Sequence, residues 1–200
     1  MPNPMVGTDR LEAVKVRENL PGALLKVKEH RGDTFLCVRR EQLVEVIRLL
    51  KEDPDLDYGY FSECVGADYS TWKHERDLDE RFEVIYNLMS LKHYSRIFVK
   101  VGVDDGQTVP TIKHLFLGAE YPEREIWDLF GIVFEGNEQV QRFLLPDDWV
   151  GYPLRKEYPL GGEDVLFDQG TYGPAVEDLS MPHAGESFEG KTGSEDVGGR

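Results

Sequence analysis

This chain of 200 residues is short of cysteine, of clustered histidine, of basic charge and of long apolar runs, and each shortage removes a class of function. Only two cysteines occur, Cys37 and Cys64. They lack the close spacing of a zinc or iron–sulfur site and read as reduced core thiols, since free cysteine packs as a small hydrophobe. The five histidines, His30, His74, His93, His114 and His183, are scattered and form no ligand pattern, so no metal site is expected. Lysine and arginine total 23 against 38 acids, a formal net charge of −15, which argues against nucleic-acid binding because that requires clustered cations. The longest apolar run, Leu129 to Phe134, falls far short of the roughly 20 residues of a spanning helix, and the start MPNPMVGTDR has no signal-peptide core. Nor is there a glycine-rich phosphate loop or a nucleophile elbow.

What is present reads as one α+β domain with appendages, divided as 1–20, 21–135, 136–160 and 161–200. Residues 1–20 suggest a short helix stopped by Pro21-Gly22. Ala23–Glu29 and Thr34–Val38 read as strands joined by a turn at Arg31-Gly32-Asp33. Leu43, Val44, Ile47 and Leu50 place a helix over Glu41–Lys51, closed by Asp53-Pro54. Tyr58–Tyr69 is an aromatic-rich strand. The clearest signal follows: Phe82, Val84, Tyr86 and Leu88, then Ile97, Val99, Val101 and Val103, alternate with other residues and predict an antiparallel hairpin. Val109-Pro110-Thr111 is expected to start a short helix through Leu117, and a second helix begins near Pro122. The expected fold is therefore a single mixed or antiparallel sheet with helices packed on it. A proline-punctuated C-terminal arm over 136–160 and a flexible acidic tail follow; residues 161–200 hold nine acids, two bases and nine glycines. Phe167, Tyr172 and Phe188 are candidate anchors of that tail on a partner.

The densest stretch is Glu120–Leu160. Its helix carries Glu123, Arg124, Glu125 and Asp128 beside Trp127, with Glu120–Arg124 and Arg124–Asp128 four apart, where side chains meet. Paired carboxylates are the raw material of acid–base or metal sites, but Glu123 and Glu125 point apart on a helix, and no histidine lies within a turn. Beyond it Pro146, Pro153 and Pro159 forbid a long helix or a central strand, so the arm lies along a surface, its own or another protein's. Arg155 and Lys156 offer donors to a carboxylate, and Trp127, Trp149, Tyr152 and Tyr158 offer contact area. The residues by themselves describe an interaction protein.

GAEYPEREIWDLFGIVFEG followed by RFLLPDDWVGYPLRKEYPL closely resembles the signature of the C, or thirty-kilodalton, subunit family of the proton-pumping NADH:quinone oxidoreductase, respiratory complex I. RFEVIYNLMSL, SRIFVKVGV and VPTIKHLFLGAEY extend the likeness over residues 20–160. Asn137-Glu138 stands where the family usually has His-Pro, and Gln141 where a basic residue is common. The resemblance implies a subunit of the peripheral arm on the cytoplasmic face of the cell membrane, with no catalytic, cofactor-binding or metal-binding residues of its own. NADH, FMN, iron–sulfur clusters and a quinone would be held by other subunits. Its expected partners are the quinone-site (D-type) subunit and neighbouring iron–sulfur subunits, it meets the membrane only through the complex, and nucleic acid is not among its partners. The docking residues implied are Glu123, Arg124, Glu125, Trp127, Asp128, Arg142, Trp149, Tyr152, Arg155, Lys156 and Tyr158. The alternative is the equivalent subunit of a membrane-bound hydrogenase or of a complex fed by another electron donor.

Overall fold

The computed structural model describes residues 10–138 and 141–158; the acidic tail, with its three candidate aromatic anchors, lies outside them. Helix α1 (Leu11–Asn19) leads into strands β1 (Leu24–His30) and β2 (Asp33–Val38), followed by helix α2 (Leu43–Glu52). Then come β3 (Tyr60–Asp68), β4 (Phe82–Ser90), β5 (Ser95–Val103), β6 (Thr108–Pro110), helix α3 (Glu120–Phe130) and β7 (Val133–Glu135). Five strands form a mixed sheet in the order β1-β2-β5-β4-β3, and β6 pairs with β7 in a separate parallel pair. The β4–β5 hairpin is antiparallel in the register that its alternation predicts, Val84 opposite Val101 and Tyr86 opposite Val99. The one parallel joint of the larger sheet is β2 with β5.

Alternation decides which sheet face is core. Phe82, Val84, Tyr86 and Leu88 of β4 and Ile97, Val99, Val101 and Val103 of β5 are all buried on one side. Against that side α2 presents Leu43, Val46, Ile47 and Leu50, so Val46 takes the inward place expected of Val44, which is half-buried. Cys37 and Cys64 are buried and free, and burial pushes the Cys37 thiol up to about 11. The opposite face carries charge: buried Glu83 on β4 takes Lys100 Nζ of β5 at 2.9 Å and Arg76 from the β3–β4 link at 3.3 Å.

One expectation fails between β5 and α3. The segment expected to open a helix at Val109-Pro110-Thr111 is strand β6, followed by a turn and a single helical turn at Leu117–Ala119. The Thr111 amide donates to Glu135 O at 2.9 Å, and proline is tolerated at the end of a two-stranded edge pair, where its missing N–H breaks no ladder. Helix α3 begins at Glu120, two residues before Pro122, which still sits in the first turn. It ends on Gly131, whose φ of +77° is the left-handed cap that glycine adopts at no steric cost; its amide closes on Trp127 O at 2.8 Å. Gly66 of β3 lets α3 lie close: a Cβ there would stand 3.0 Å from the Phe130 ring and 3.1 Å from Ile126.

Candidate functional site: the surface of helix α3 and the arm

Helix α3 buries a stripe at helical spacing, Glu123, Ile126 and Phe130, with Ala119 just ahead of it, so a carboxylate sits in the apolar row. Glu123 is fully buried. Its Oε1 accepts the Ile112 amide at 2.9 Å; its Oε2 accepts the Thr111 hydroxyl and Asn137 Nδ2, the latter at 2.9 Å. Burial raises its pKa, and these three donors oppose the rise without overcoming it. Asn137 also donates to Glu120 O at 3.1 Å, so it ties the chain just past β7 to the start of α3.

Asp128, also fully buried, organises the arm. Its Oδ2 accepts three successive amides, Phe143 at 3.1 Å, Leu144 at 2.7 Å and Leu145 at 3.0 Å, and its Oδ1 accepts Arg142 Nη1 at 3.0 Å. Burial opposes ionisation of this carboxyl, but the Leu145 and Leu144 amides, the Arg142 guanidinium and the Phe143 amide outweigh it and hold the pKa below the usual range. The four-residue spacing pointed to Arg124 as its partner; the structure gives Asp128 to Arg142 instead. Arg124 is half-buried: its Nη2 donates to Gln141 O, and its guanidinium lies 5.9 Å from the Tyr121 ring centre and 5.6 Å from that of Phe143.

Arg142 continues inward from Asp128, its Nη2 donating to Trp149 O at 3.2 Å and Gly151 O at 3.1 Å, while its guanidinium stacks near Trp127 and Tyr152. Tyr152 covers Gly131 so closely that a Cβ at 131 would meet its ring at 2.5 Å. Leu154 N donates to Leu129 O, and Trp149 stacks with Tyr158 at 6.4 Å. Arg155 donates through Nε to Phe130 O at 2.7 Å and through both Nη atoms to Asp105 at 3.0 and 3.1 Å. The Lys156 amide donates to Asp68 at 3.0 Å; Asp68 also holds Arg81 at 2.9 Å, and Arg81 reaches Glu157. Burial opposes ionisation of Asp68, but Arg81 and the Lys156 and Ser70 amides hold it well below the ordinary carboxylate range.

The described arm therefore wraps its own domain, and it belongs to the same compact unit. Of the residues singled out from the sequence, Asp128, Arg142, Trp149, Tyr152, Arg155 and Tyr158 all serve this internal wrapping, Glu123 ties α3 to the turn after β6 and to Asn137, and Glu125 and Lys156 stand exposed. Asp68, Arg81, Asp105 and Glu157 complete the network without any sequence signal, because their partners lie 13 to 88 positions away. No group of three metal-ligating side chains converges among the described residues.

The sequence that builds the sheet, helix α3 and the arm is matched by a family model. The model for the respiratory-chain NADH dehydrogenase 30 Kd subunit covers residues 36–164. The chain belongs to that family. It is 44% identical over 154 residues to the C subunit of the NADH-quinone oxidoreductase of Roseiflexus sp. strain RS-1, covering 76% of this chain and 85% of the relative. It is 40% identical over 159 residues to the corresponding C subunit of Geobacter metallireducens, covering 79% and 93%. Among solved structures, a trypsin-resistant fragment of Nqo5 aligns at a TM-score of 0.55 and 32% identity, over 64% of this chain and 98% of the fragment. A chain from the membrane-bound sulfane sulfur reductase, an archaeal respiratory membrane complex, aligns at a TM-score of 0.59, over 74% of this chain and 83% of that one; at 24% identity this likeness speaks to the fold alone. Among the described residues no helix is long and apolar enough to cross a membrane.

Proposed function

We propose that this chain is a docking subunit, without a cofactor of its own, in the peripheral arm of a proton-translocating NADH:quinone oxidoreductase. It sits on the cytoplasmic face of the cell membrane beside the quinone-site subunit and the neighbouring iron–sulfur subunits. NADH, FMN, the clusters and the quinone belong to those partners, and this chain holds their arrangement while electrons pass from NADH to quinone. The relatives' names support the complex. The observation that carries the docking role is the use made of the acidic groups: Asp128, Asp68 and Asp105 fix the backbone and guanidinium groups of a surface arm. That is scaffolding chemistry, rigid and surface-directed.

The test is deletion of this chain in its source organism. NADH oxidation by a small artificial acceptor, measured in the soluble and membrane fractions together, should persist, because the donor-oxidising subunits are intact. Electron transfer from NADH to quinone in membranes should be lost and should return with the complementing chain. Membranes lacking the chain that still reduce quinone at the normal rate would remove the assigned role.

A further inference from the structure

The arm's wrapping changes which residues are free to meet a partner. Arg142 and Arg155 are engaged by Asp128 and Asp105, and Glu123 and Asp128 are sealed inside. The wrapping also displays residues of its own. Because one carboxylate oxygen accepts the amides of Phe143, Leu144 and Leu145 in turn, the backbone curls around Asp128. The Phe143 and Leu144 side chains are left on the outside, 40% and 55% exposed. Phe143 packs against the 55% exposed Tyr121 of α3, ring centres 5.5 Å apart, with the Arg124 guanidinium beside both. An exposed cluster of a tyrosine, a phenylalanine and a leucine, held by a buried ion pair beneath, has the build of an interface centre.

The fully exposed charge around this cluster is acidic. Glu125, one turn on from Tyr121, and Asp147 and Asp148, just beyond Leu144, are all exposed; of the cations on the same stretch, Arg142 is paired with Asp128, and Arg124 lies half-buried against the two rings with Nη2 on Gln141 O. We propose that Tyr121, Phe143 and Leu144 form the centre, and Glu125, Asp147 and Asp148 the rim, of a docking face assembled before any partner arrives. The face takes a protein surface that is apolar in the middle and rich in lysine or arginine around it, carried by another subunit of the complex. The inference rests on the function proposed above and relocates the contact from Arg155 and Asp128, which hold the face from within, to the residues displayed outside. Apolar burial supplies the affinity, and the acidic rim steers encounter and register.

The test is recovery of the complex from solubilised membranes through a C-terminal tag on the full-length chain, read as quinone-reducing activity per mole of tagged chain. Leu144→Asp and the triple variant Glu125→Lys, Asp147→Lys, Asp148→Lys should each lower recovery about tenfold or more. The thermal transition of each purified variant should match that of the unsubstituted chain, because all four positions are exposed. A photoreactive benzoylphenylalanine at position 144 should crosslink to a basic segment of another subunit. Wild-type recovery by both variants would overturn the face, and a crosslink only to an acidic segment would overturn the rim. Failure of the unsubstituted chain to bring down any quinone-reducing activity would overturn the complex assignment itself, and the docking face with it.

Discussion

Replacing Asp128 by alanine tests the wrapping at its most concentrated point. The change removes one acceptor group from four donors at once: the amides of Phe143, Leu144 and Leu145 and the Arg142 guanidinium. Hydrogen bonds to a charged group contribute roughly 1.5–3 kcal/mol each, but four on one carboxylate are coupled and do not add. A better bound is the cost of leaving one partner of a buried ion pair alone, about 3–5 kcal/mol. At 1.4 kcal/mol per decade that is roughly two to three and a half decades in the equilibrium between wrapped and released arm. Release lets the three amides and Arg142 regain water, so the loss stays local to the arm while the sheet and α2 keep their packing. Hydrogen exchange read by mass spectrometry is the assay. The peptide containing residues 143–145 should exchange about a hundredfold faster or more in Asp128→Ala, with β4 and β5 unchanged. Trypsin should then cut after Arg142, Arg155 and Lys156 well before the domain opens. Equal exchange of 143–145 in both proteins would refute the role assigned to Asp128.

Other consequences follow from the same geometry. Asp68 and Asp128 have pKa values depressed by folding, so their stabilisation is complete above the unfolded carboxyl pKa of about 3.9 and is lost as pH falls through the lower folded values; arm protection should stay flat from pH 7 to 5 and fall progressively in stronger acid. Glu123 has the opposite sign: its raised pKa means that burying the carboxylate costs stability at neutral pH, and Asn137 holds a buried Oδ1 with no partner that could accept from a new amide. Glu123→Gln should therefore cost less than about 1.5 kcal/mol at pH 7, and Glu123→Ala, which strands the three donors, about 3 kcal/mol or more, both read by urea unfolding. Gly131→Ala forces a left-handed φ on a side chain and drives its Cβ into Tyr152, so a loss of about 1–3 kcal/mol is expected in thermal unfolding. Lys100→Met leaves Glu83 with only the longer Arg76 contact and should destabilise by about 2 kcal/mol or more by the same measurement, whereas an exposed lysine such as Lys73 replaced by methionine should change little.

The parts of the fold readable from the sequence are those in which neighbours in sequence are neighbours in space. The β4–β5 hairpin is visible because Phe82 to Leu88 and Ile97 to Val103 alternate and join through a short turn. Helix α2 is visible through its 3.6-residue spacing, although its buried stripe takes Val46 in place of Val44. Strand β6 is hidden because its partner β7 lies 25 residues on and because proline opens helices as readily as it closes edge strands. The Arg124–Asp128 expectation fails for a related reason. Four-residue spacing brings two side chains within reach, but Asp128 faces inward, where a guanidinium and three amides from the arm outcompete Arg124. The sequence does carry a signal for Glu123: it occupies the same helical stripe as Ile126 and Phe130, the mark of a carboxylate turned toward the core. The arm's course over its own domain is one of two courses left open by its prolines, and Asp68, Asp105 and Asp128, far apart in sequence, decide it.

The most direct test of the docking role is native mass spectrometry, with iron determination, of what a tag on this chain recovers from gently solubilised source membranes. The account predicts this chain at one copy in an assembly with iron-rich, NADH-oxidising and quinone-binding subunits, stable through the mass measurement. Recovery of a lone, iron-free chain, under conditions that keep other membrane complexes whole, would contradict it.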